Sequence, residues 1–474
     1  MRDKGFIQKY KRIGVLGIAR SGIAVAIKIK KLGLEAFLSD ARPAEKFLEM
    51  DLSEFEGSVE FGGHSDKLLE MDLLVVSPGI PLNIPILEKA RSKSIPLWSE
   101  VEFAYQLTYP DAKIIAVTGT NGKSTAVSLI YHILKSKGFD VILAGNIGEA
   151  YSSFDIEIKR DFIVLEVSSF QLDLVEAFRP DTAVILNITP DHLDRYNTFE
   201  DYVKSKFNIA KNLETHDNLV LSNDLKARYY DRYIDESKAA NVRIFDELKK
   251  DIDILSVDDV IGECVDAVYK DDSIVILDDE FADYDLVINN VKDLPLKGLH
   301  NIQNIMAALL AVKNYVDFDE IYDILMSFKP LEHRLEPVGI HNGVEYINDS
   351  KATNTDSVKY AITAFDKPIH LILGGSDKGE DFSVLIDSMR GKVKRLYLIG
   401  ETAKKMSGIF ENIFECEVFT DFKATVVTAV RNASMGEIVL LSPACASFDW
   451  FKNFEERGKV FKRLVDEGVK NKGK

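Results

Sequence analysis

The sequence predicts an α/β protein of three domains, each built around a mostly parallel sheet. Two observations support this fold class: short apolar strands alternate with amphipathic helical segments, and many of the strands run directly into glycine turns. The length of 474 residues corresponds to about three domains of ordinary size. We place the domain boundaries at residues 1–104, 105–330 and 331–474.

The composition is that of a globular chain without membrane spans. The hydrophobic fraction of 46% is ordinary, and no stretch approaches the roughly 18 apolar residues of a membrane helix. The net charge of −17 disfavours a nucleic-acid surface, and no signal-peptide core precedes the first strand. Cys264, Cys416 and Cys445 lack zinc-site spacing and are expected to be reduced thiols. We therefore expect a cytoplasmic protein without a nucleic-acid or membrane partner.

The first domain is expected to begin with a Rossmann-like unit of strand, helix and strand. Residues 12–17 form a predicted strand, residues 17–22 a glycine turn, and residues 36–40 a second strand that ends in an acid. Ala19 stands where a dinucleotide site has the glycine that lets the backbone approach a pyrophosphate. The pattern leaves three interpretations open: NAD binding, binding of another nucleotide-like anion, and plain packing of strand against helix.

A further strand, with a glycine turn at its carboxyl end, covers residues 73–80. In an open α/β sheet, ligands bind at the edge where the carboxyl ends of the strands meet. This arrangement predicts one cleft in the first domain, and the residues that would line it are Ser21, Asp40, Arg42 and Gly79.

The central domain is organised around a glycine-rich loop, residues 119–125, which reads Gly-Thr-Asn-Gly-Lys-Ser-Thr. An apolar strand precedes the loop and an amphipathic helix follows it, as in P-loop ATPases. Gly119 and Gly122 let the backbone turn its N–H groups toward an anion at the helix N-terminus. Lys123 is then placed to reach the β- and γ-phosphates, and the Ser124 hydroxyl to hold Mg²⁺. The alternative is an ordinary glycine turn with an exposed lysine.

Two polar residues follow the next strands of the central domain. The apolar strand 162–166 ends on Glu166, which is either a metal ligand beside the nucleotide or a helix-capping or solvated acid. His192 lies in the loop that leaves strand 183–187, and it is either structural or part of the same site. The pattern of residues alone does not decide between these interpretations.

Lys206 is the unusual residue of the following helix. Thr198 and Asp201 form a predicted capping box, and an apolar stripe then covers residues 199–213. Lys206 lies on this stripe, four residues after Tyr202. A lysine on a buried face must extend to solvent, find a partner or lose its charge. Either the side chain snorkels, or the amine is modified or pointed into the metal–phosphate site.

The last domain is predicted to hold a third, mostly parallel sheet, with strands at 344–348, 369–375, 396–400 and 438–442. Cationic and hydroxyl groups follow several of these strands, with an aromatic residue nearby: Lys351, Thr353, Lys378, Ser447 and Phe454. Such groups on one sheet edge indicate a pocket for a substrate that carries a carboxylate, and scattered surface lysines are the alternative. Residues 224–297 are less patterned, and we assign no chemistry to them.

Together these segments resemble the Mur ligase family, the ATP-dependent amino-acid ligases of peptidoglycan precursor synthesis. The resemblance covers essentially the whole chain and is weakest over residues 224–297. The family's phosphate loop has the form of residues 119–125, without the first glycine of the common P-loop. The other segments that carry the resemblance, in particular to the members that add D-glutamate, are 77–80, 145–148, 165–172, 191–196, 348–354 and 442–458.

The resemblance implies roles for individual residues. By similarity, Lys123 contacts the ATP phosphates, and Lys206 carries a CO₂-derived carbamate. The resemblance also implies two Mg²⁺ ions, whose ligands are Ser124, Glu166, His192 and that carbamate. The implied nucleotide contacts are Gly119, Thr120, Asn121, Gly122, Lys123, Ser124, Thr125, Asn304, Arg334 and Asp349. The implied contacts to the UDP-linked precursor are Ser21, Asp40, Arg42, Gly79 and Asn146, and those to D-glutamate are Lys351, Thr353, Lys378, Ser447 and Phe454.

The implied activity is ATP-dependent addition of D-glutamate to UDP-N-acetylmuramoyl-L-alanine through an acyl phosphate. The first domain would bind the UDP-linked substrate, the central domain ATP and the last domain the amino acid. The resemblance further implies a cytoplasmic monomer whose partners are these small molecules. The near alternatives are a sibling ligase for another amino acid and an enzyme similar to folylpolyglutamate synthetases. The distant alternative is a nucleotide-binding switch without ligase chemistry.

Overall fold

The structure is a computed structural model of the chain, and it describes residues 2, 5–47, 58–191, 195–234, 241–247, 265–277, 284–377 and 379–472. The described strands form three sheets, of five, nine and six strands. The chain divides into two compact units, Met1–Val291 with Gln303–Met326, and Lys292–Ile302 with Ser327–Lys474. Parallel strands connected through helices dominate each sheet, so the predicted α/β class is confirmed.

The first sheet is parallel throughout. Its register pairs Leu16 with both Ser39 and Val76, so the turns that follow these strands, including Gly17 and Asp40, open at the same edge. The strands are β1 Arg12–Leu16, β2 Glu35–Asp40, β3 Ser58–Phe61, β4 Leu73–Val76 and β5 Leu97–Trp98, in the order β3-β2-β1-β4-β5. The helices are α1 Phe6–Lys9, α2 Arg20–Lys31, α3 Pro85–Ser92 and α4 Glu100–Leu107.

The second sheet forms the central domain. Its strands are β6 Lys113–Thr118, β7 Val141–Gly145, β8 Phe162–Glu166, β9 Thr182–Ile185, β10 Asn218–Ser222, β11 Asn241–Glu247, β12 Ala267–Lys270, β13 Ser273–Leu277 and β14 Tyr284–Ile288. The order is β14-β13-β12-β11-β10-β9-β6-β8-β7, parallel from β6 to β12 and antiparallel at β13 and β14. Its helices are α5 Lys123–Ser136, α6 Ser169–Leu172, α7 Phe199–Phe207, α8 Asn223–Tyr233, α9 Leu299–Val312 and α10 Ile321–Ser327.

The register of this sheet brings three loops together. Val117 pairs with Glu166, and Glu166 pairs on its other side with Gly145. Thr118 pairs with Ile185 of β9. The glycine-rich loop after β6, the carboxylate that ends β8 and the loop after β9 therefore lie at one edge.

The helix that carries Lys206 is shorter than the apolar stripe predicted. The capping box of Thr198 and Asp201 is confirmed, with both reciprocal hydrogen bonds present. Helix α7 ends at Phe207, and a 3₁₀ turn covers Asn208–Ala210. Tightening of the last turn into 3₁₀ geometry is common at helix ends, and it keeps the remaining apolar side chains of the stripe buried.

The third sheet has one antiparallel edge strand. Its strands are β15 Glu336–His341, β16 Val344–Asn348, β17 Ile369–Gly374, β18 Val393–Ile399, β19 Cys416–Val418 and β20 Ile438–Leu441, in the order β15-β16-β20-β17-β18-β19. Only β15 is antiparallel among these described strands. Leu441 pairs with Asn348 and with Ile372, so Asp349 and Ser442 follow at one edge. The helices are α11 Thr355–Thr363, α12 Ile386–Met389, α13 Ala403–Phe410, α14 Phe422–Asn432 and α15 Phe454–Lys472.

Two expectations drawn from the composition, on membrane-spanning helices and on reduced cysteines, can be compared with the structure. Within the described ranges, no helix combines the length and the apolar character needed to cross a bilayer. Cys416 and Cys445 are free thiols, and burial raises the pKa of the Cys445 thiol to about 12. Cys264 lies outside the described residues.

Candidate active site

The glycine-rich loop joins β6 to α5 through two glycines in conformations that disfavour side chains. Gly119 has a φ of +153° and Gly122 a φ of +86°. A Cβ at Gly122 would lie 2.3 Å from Oδ1 of Asn304. The predicted strand–turn–helix is confirmed, and Asn304, which was implied as a nucleotide contact, packs directly against the loop.

The loop is held in shape by the segment that follows β9. The backbone N–H of Thr120 donates to the carbonyl of Asn187 (2.9 Å), and that of Asn121 donates to Oδ1 of Asn187 (2.9 Å). The Thr120 hydroxyl donates to the carbonyl of Thr189 (3.1 Å). These contacts fix the backbone of the loop before any ligand arrives, which reduces the entropy lost on binding.

Ser124, Asn146 and Glu166, all singled out in the sequence, are joined by hydrogen bonds at this edge, and Lys123 lies next to Ser124 on the loop. The Ser124 hydroxyl donates to Oε2 of Glu166 (2.6 Å), and Nδ2 of Asn146 donates to Oε1 of Glu166 (2.9 Å). Nζ of Lys123 donates to the carbonyls of Gly119 and Thr120, each at 2.8 Å. The carboxylate of Glu166 is therefore shared between the loop and the turn after β7.

A third glycine lets the backbone pass close to Glu166. Gly145 ends β7 with a φ of +105°, and a Cβ there would lie 2.3 Å from the carbonyl oxygen of Glu166. The N–H of Asn146 donates to that carbonyl (2.9 Å). The predicted glycine turn at 145–148 thus places the Asn146 side chain beside the carboxylate.

The donor set at Glu166 fits a hard divalent cation. A hydroxyl and a buried carboxylate, 2.6 Å apart, are oxygen donors of the type that Mg²⁺ takes beside a nucleotide. Among the residues that the structure describes, no group of three or more His, Cys, Asp or Glu side chains forms a metal cluster. His192 lies outside the described residues.

Lys206 points toward the glycine-rich loop rather than toward solvent. Its side chain is only 2% exposed, and Nζ donates to the carbonyl of Gly119 (2.8 Å) and lies 4.5 Å from the ring centroid of Tyr202. Burial, followed by repulsion from Lys123, holds the pKa of the Lys206 amine well below its usual value. The amine is therefore largely deprived of solvation and close to the phosphate loop.

Asp40 organises the cleft of the first domain. It accepts hydrogen bonds from the backbone N–H of Ile18 (2.8 Å) and from Nε and Nη2 of Arg42 (2.9 and 2.7 Å). Burial alone would raise the pKa of the Asp40 carboxyl, but the hydrogen bonds from Arg42 and Ile18 hold it below the ordinary value. The Arg42 side chain remains 55% exposed, so Asp40 presents Arg42 at the open edge of the sheet.

The other predicted residues of this cleft lie on neighbouring turns. Ser21 is in the first turn of α2, and Gly79 follows β4 with open space around it. The Ser77 hydroxyl donates to the carbonyl of Gly17 (2.9 Å), which ties the turn after β4 to the turn after β1. Ala19 precedes α2 with an extended backbone, so the first turn of this helix is built without the second glycine of a dinucleotide site.

The unit formed by the last sheet has its own cluster of buried polar residues. Asp349 accepts hydrogen bonds from the N–H of Leu335 (3.1 Å) and the hydroxyl of Ser442 (2.8 Å). Burial raises the pKa of the Asp349 carboxyl to about 6, although the charge of Arg334 opposes the rise. Arg334 and Asp349, both implied as nucleotide contacts, therefore lie close to each other in this unit.

Of the residues implied for the amino acid, Lys351, Thr353 and Ser447 lie on exit loops of the same sheet, and Phe454 begins α15. Nζ of Lys351 is 5.5 Å from the ring centroid of Phe454. Thr353 is half-buried, and the hydroxyl of Ser447 is buried without a hydrogen-bond partner among the described residues. Lys378 lies outside the described residues.

Arg457 and Asn187 each hold loops in place in their own unit, and neither carries a signal of its own in the sequence. Arg457 is 1% exposed and donates from Nη2 to the carbonyls of Ser350 (2.8 Å) and Cys445 (3.0 Å), so it joins two of the exit loops. Asn187 shapes the phosphate loop, as described above. The sequence could have indicated these residues only by their position, because each lies in a segment that also contains predicted site residues.

Fold and site together define an α/β protein with three sheets and a P-loop-type glycine-rich loop at the edge of the second sheet. Family models match the chain in three consecutive parts: the Mur ligase MurD-like N-terminal domain at residues 11–99, the Mur ligase middle domain at 117–312, and the glutamate ligase domain of Mur ligases at 333–445. The chain belongs to the Mur ligase family.

Individual relatives extend the match to nearly the full length. The UDP-N-acetylmuramoylalanine--D-glutamate ligase of Cytophaga hutchinsonii is 40% identical over 464 residues, 96% of this chain and 99% of the relative. The ligase of the same name from Lachnospira eligens is 37% identical over 468 residues, 97% of this chain and 99% of the relative. The predicted resemblance is confirmed.

Solved structures share the fold at much lower identity. The UDP-N-acetylmuramate-alanine ligase of Thermotoga maritima aligns with a TM-score of 0.59 at 16% identity, over 97% of this chain and 99% of that one. A further Mur ligase from Thermotoga maritima, solved in complex with ADP, aligns with a TM-score of 0.57 at 15% identity, over 92% and 95%. The predicted three-domain architecture is confirmed by the family models and these structures.

Proposed function

We propose that this protein is an ATP-dependent ligase that joins D-glutamate to UDP-N-acetylmuramoyl-L-alanine in peptidoglycan precursor synthesis. The observation that carries the proposal is the cluster of Ser124, Glu166 and Asn146 beside a preformed phosphate loop. In it, a phosphate-binding backbone, a divalent-cation donor set and an amide meet at one sheet edge. The full-length similarity to curated D-glutamate ligases supports the choice of substrates.

The central domain is proposed to bind ATP through the loop 119–125. Backbone N–H groups at a helix N-terminus favour phosphate, and Lys123 adds a positive charge held at the loop by two carbonyls. Asn304, which packs against Gly122, is proposed to contact the nucleotide. Arg334 and Asp349 are proposed to contribute from the last domain.

The chemistry must activate a carboxylate, because oxide is too poor a leaving group for direct condensation with an amine. The γ-phosphoryl group passes from ATP to an oxygen of the alanyl carboxylate, so one P–O bond breaks, another forms, and ADP leaves. The amine of D-glutamate then attacks the acyl carbon. The C–O bond breaks, inorganic phosphate leaves with its electron pair, and the attacking amine loses a proton.

The first step brings two anions together, so its main requirement is neutralisation of charge. Lys123 and the loop N–H groups meet the phosphates. Ser124 and Glu166 would hold Mg²⁺, together with His192, and the metal supplies further neutralisation of the phosphate oxygens. Asn146, whose side chain is fixed by Glu166, is proposed to orient the muramoyl substrate.

Lys206 is proposed to carry a carbamate that completes the ligand set for two Mg²⁺ ions. Only a neutral amine has the lone pair that attacks CO₂, and the depressed pKa of Lys206 supplies that form. Addition of CO₂ to the neutral amine, followed by loss of a proton, gives an anionic carbamate that can bind a metal ion. The position of the amine, 2.8 Å from the Gly119 carbonyl, supports this role.

The outer domains are proposed to bind the two substrates that the ligase joins. The cleft of the first domain would take the uridine diphosphate moiety, with contacts from Ser21, Asp40, Arg42 and Gly79. The last domain would take D-glutamate, with contacts from Lys351, Thr353, Lys378, Ser447 and Phe454. We also propose domain boundaries near residues 104 and 330, a monomeric state and a cytoplasmic location.

A phosphate-release assay tests the proposal. The protein is supplied with ATP, Mg²⁺ and UDP-N-acetylmuramoyl-L-alanine, and then with D-glutamate, L-glutamate or another amino acid. We expect release of phosphate that depends on D-glutamate. Release with a different amino acid would identify a sibling ligase, and release with a folate acceptor would identify a folylpolyglutamate-synthetase-like enzyme. Binding of ATP without release for any acceptor would refute ligase chemistry.

A further inference from the structure

Arg195 links the first domain to the central domain. It lies in the loop after β9, and its Nη2 donates to the carbonyl of Ile80 in the first domain (2.7 Å). Its guanidinium carbon lies 4.2 Å from the ring centroid of Phe170, in the geometry of a cation–π contact. One side chain therefore contacts both a loop of the proposed substrate cleft in the first domain and an aromatic ring in the central domain.

The loop that Arg195 contacts is itself connected to the cleft by hydrogen bonds. The N–H of Ile80 donates to the carbonyl of Ser77 (3.0 Å), and the Ser77 hydroxyl donates to the carbonyl of Gly17 (2.9 Å). Ile80 directly follows Gly79, a proposed contact to the UDP-linked substrate. A ligand that orders this loop also fixes the carbonyl that Arg195 binds.

On the central side, the contact continues through aromatic rings. Phe170 stacks on Tyr196, with centroids 5.9 Å apart and planes at 22°. Tyr196 packs against Tyr202 at 5.4 Å. The Tyr196 hydroxyl donates to Asp173 (2.9 Å), which fixes the orientation of the ring.

The last ring of the series touches the phosphate loop. The hydroxyl of Tyr202 is hydrogen-bonded to that of Thr120 (3.1 Å), and Nζ of Lys206 lies over the same ring. An uninterrupted series of contacts therefore runs from Ile80 through Arg195 to the phosphate loop. We call it the aromatic bridge; its members are Arg195, Phe170, Tyr196 and Tyr202.

We propose that Arg195 is a positioning residue that couples binding of the UDP-linked substrate to binding of ATP. The inference rests on the proposed function. Substrate that orders the loop at Ile80 stabilises one position of the Arg195 side chain. Because Phe170, Tyr196 and Tyr202 pack against one another, that position of Arg195 also stabilises one position of the Tyr202 ring, which is hydrogen-bonded to Thr120. The hydrogen bond between Tyr202 and Thr120 then adds to the contacts from Asn187 that hold the phosphate loop in its binding conformation. Each ligand therefore raises the affinity for the other by the same factor.

Another contact between the same domains provides a matched control. Nζ of Lys28 donates to the carbonyl of Phe154 (2.7 Å) and pairs with Glu157 (3.1 Å). These partners lie in the segment before β8 and not in the phosphate loop. Glu157→Ala therefore removes a polar contact between the first and central domains without touching the aromatic bridge.

The test measures the affinity for a non-hydrolysable ATP analogue by calorimetry, with and without UDP-N-acetylmuramoyl-L-alanine. Couplings between sites are typically about 5- to 150-fold, so we expect at least about fivefold tighter binding of the analogue in the wild-type ternary complex. In Arg195→Ala the factor should fall to within about twofold of unity, while the binary affinities change less than about threefold. Arg195→Lys, which keeps a cation and a donor, should retain part of the coupling, and Glu157→Ala all of it.

A double-mutant cycle tests whether the rings carry the effect. Phe170→Leu should reduce the coupling as Arg195→Ala does, and the double variant should lose no more than either single variant. Coupling that survives in Arg195→Ala, an equal loss in Glu157→Ala, or additive losses in the cycle would overturn the proposal. A wild-type enzyme that turns over but shows no coupling would refute this inference alone. A wild-type protein that does not bind the UDP-linked substrate would refute the proposed function, and the inference with it.

Discussion

Replacement of Asp349 by asparagine is expected to stabilise the unit that contains the last sheet. The carboxyl is 2% exposed and accepts two hydrogen bonds, from the Leu335 N–H and the Ser442 hydroxyl. In Asp349→Asn, the amide oxygen can accept from Leu335 and the amide nitrogen can donate to Ser442. Both hydrogen bonds are kept, and the cost of ionising a buried carboxyl disappears.

The size of the effect follows from the pKa of Asp349. Burial raises it from an ordinary 3.8 to about 6. The rise from 3.8 to about 6 makes the proton roughly a hundredfold harder to remove in the folded state, which corresponds to about 3 kcal/mol. Because the folded state keeps a proton that the unfolded chain has released, the free energy of unfolding of the wild type falls as the pH rises from about 3.8 through about 6. The variant should therefore be about 3 kcal/mol more stable at pH 7.5, and about half as much at pH 5.

Urea unfolding followed by tryptophan fluorescence measures this difference. The chain has two tryptophans, so the change Trp98→Phe, made in both proteins, leaves Trp450 as the reporter of the last unit. Asp387→Asn, at a fully exposed carboxylate of the same unit, serves as the control and should stay within about 0.5 kcal/mol of the wild type. A variant that is no more stable at pH 7.5, or whose advantage is the same at pH 5, would refute the assignment of an ionised buried carboxylate.

Three further predictions concern the central domain. Lys206→Ala should lose most activity and recover part of it with added formate or acetate. The control Lys204→Ala, on the exposed side of the same helix, should remain active. Unimpaired turnover of the Lys206 variant would rule out the carbamate role. Glu166→Gln should raise the Mg²⁺ concentration for half-maximal activity at least about tenfold in a magnesium titration, because it removes the charge of a proposed metal ligand. An unchanged titration would exclude Glu166 from the proposed metal site. Gly122→Ala should weaken binding of an ATP analogue at least about tenfold by calorimetry, because the new Cβ meets Asn304. Its control is Gly138→Ala, which has nearly the same φ but open space around it; it should cost about 1–2 kcal/mol of stability and leave nucleotide affinity unchanged, and equal losses of affinity would attribute the effect to backbone strain.

The sequence was most informative where local chemistry decides the structure. The strand that ends on Glu166 has the predicted bounds, and the capping box of Thr198 and Asp201 forms as expected. The loop around Gly122 was also predictable, because a strand, two glycines and a helix start leave few conformations. In each case the decisive contacts lie within a few residues of one another.

Contacts between distant segments were not predictable in the same way. Asn187 shapes the phosphate loop from 66 residues away in sequence, and Arg195 reaches Ile80 across 115 residues. Nothing in the neighbourhood of either residue indicates its partner. For Lys206 the sequence showed the anomaly of a lysine on a buried stripe, but only the fold decides that the amine faces Gly119 instead of solvent.

The close approach of Gly145 to the carbonyl of Glu166 restricts which amino-acid substitutions this protein can accept during evolution. Any side chain at position 145 would collide with main-chain atoms, which cannot swing aside as a flexible side chain can. Substitution there must push apart two neighbouring strands and, with them, Asn146 and the carboxylate. A variant selected for resistance to an inhibitor bound at this edge would therefore have to arise at some other position.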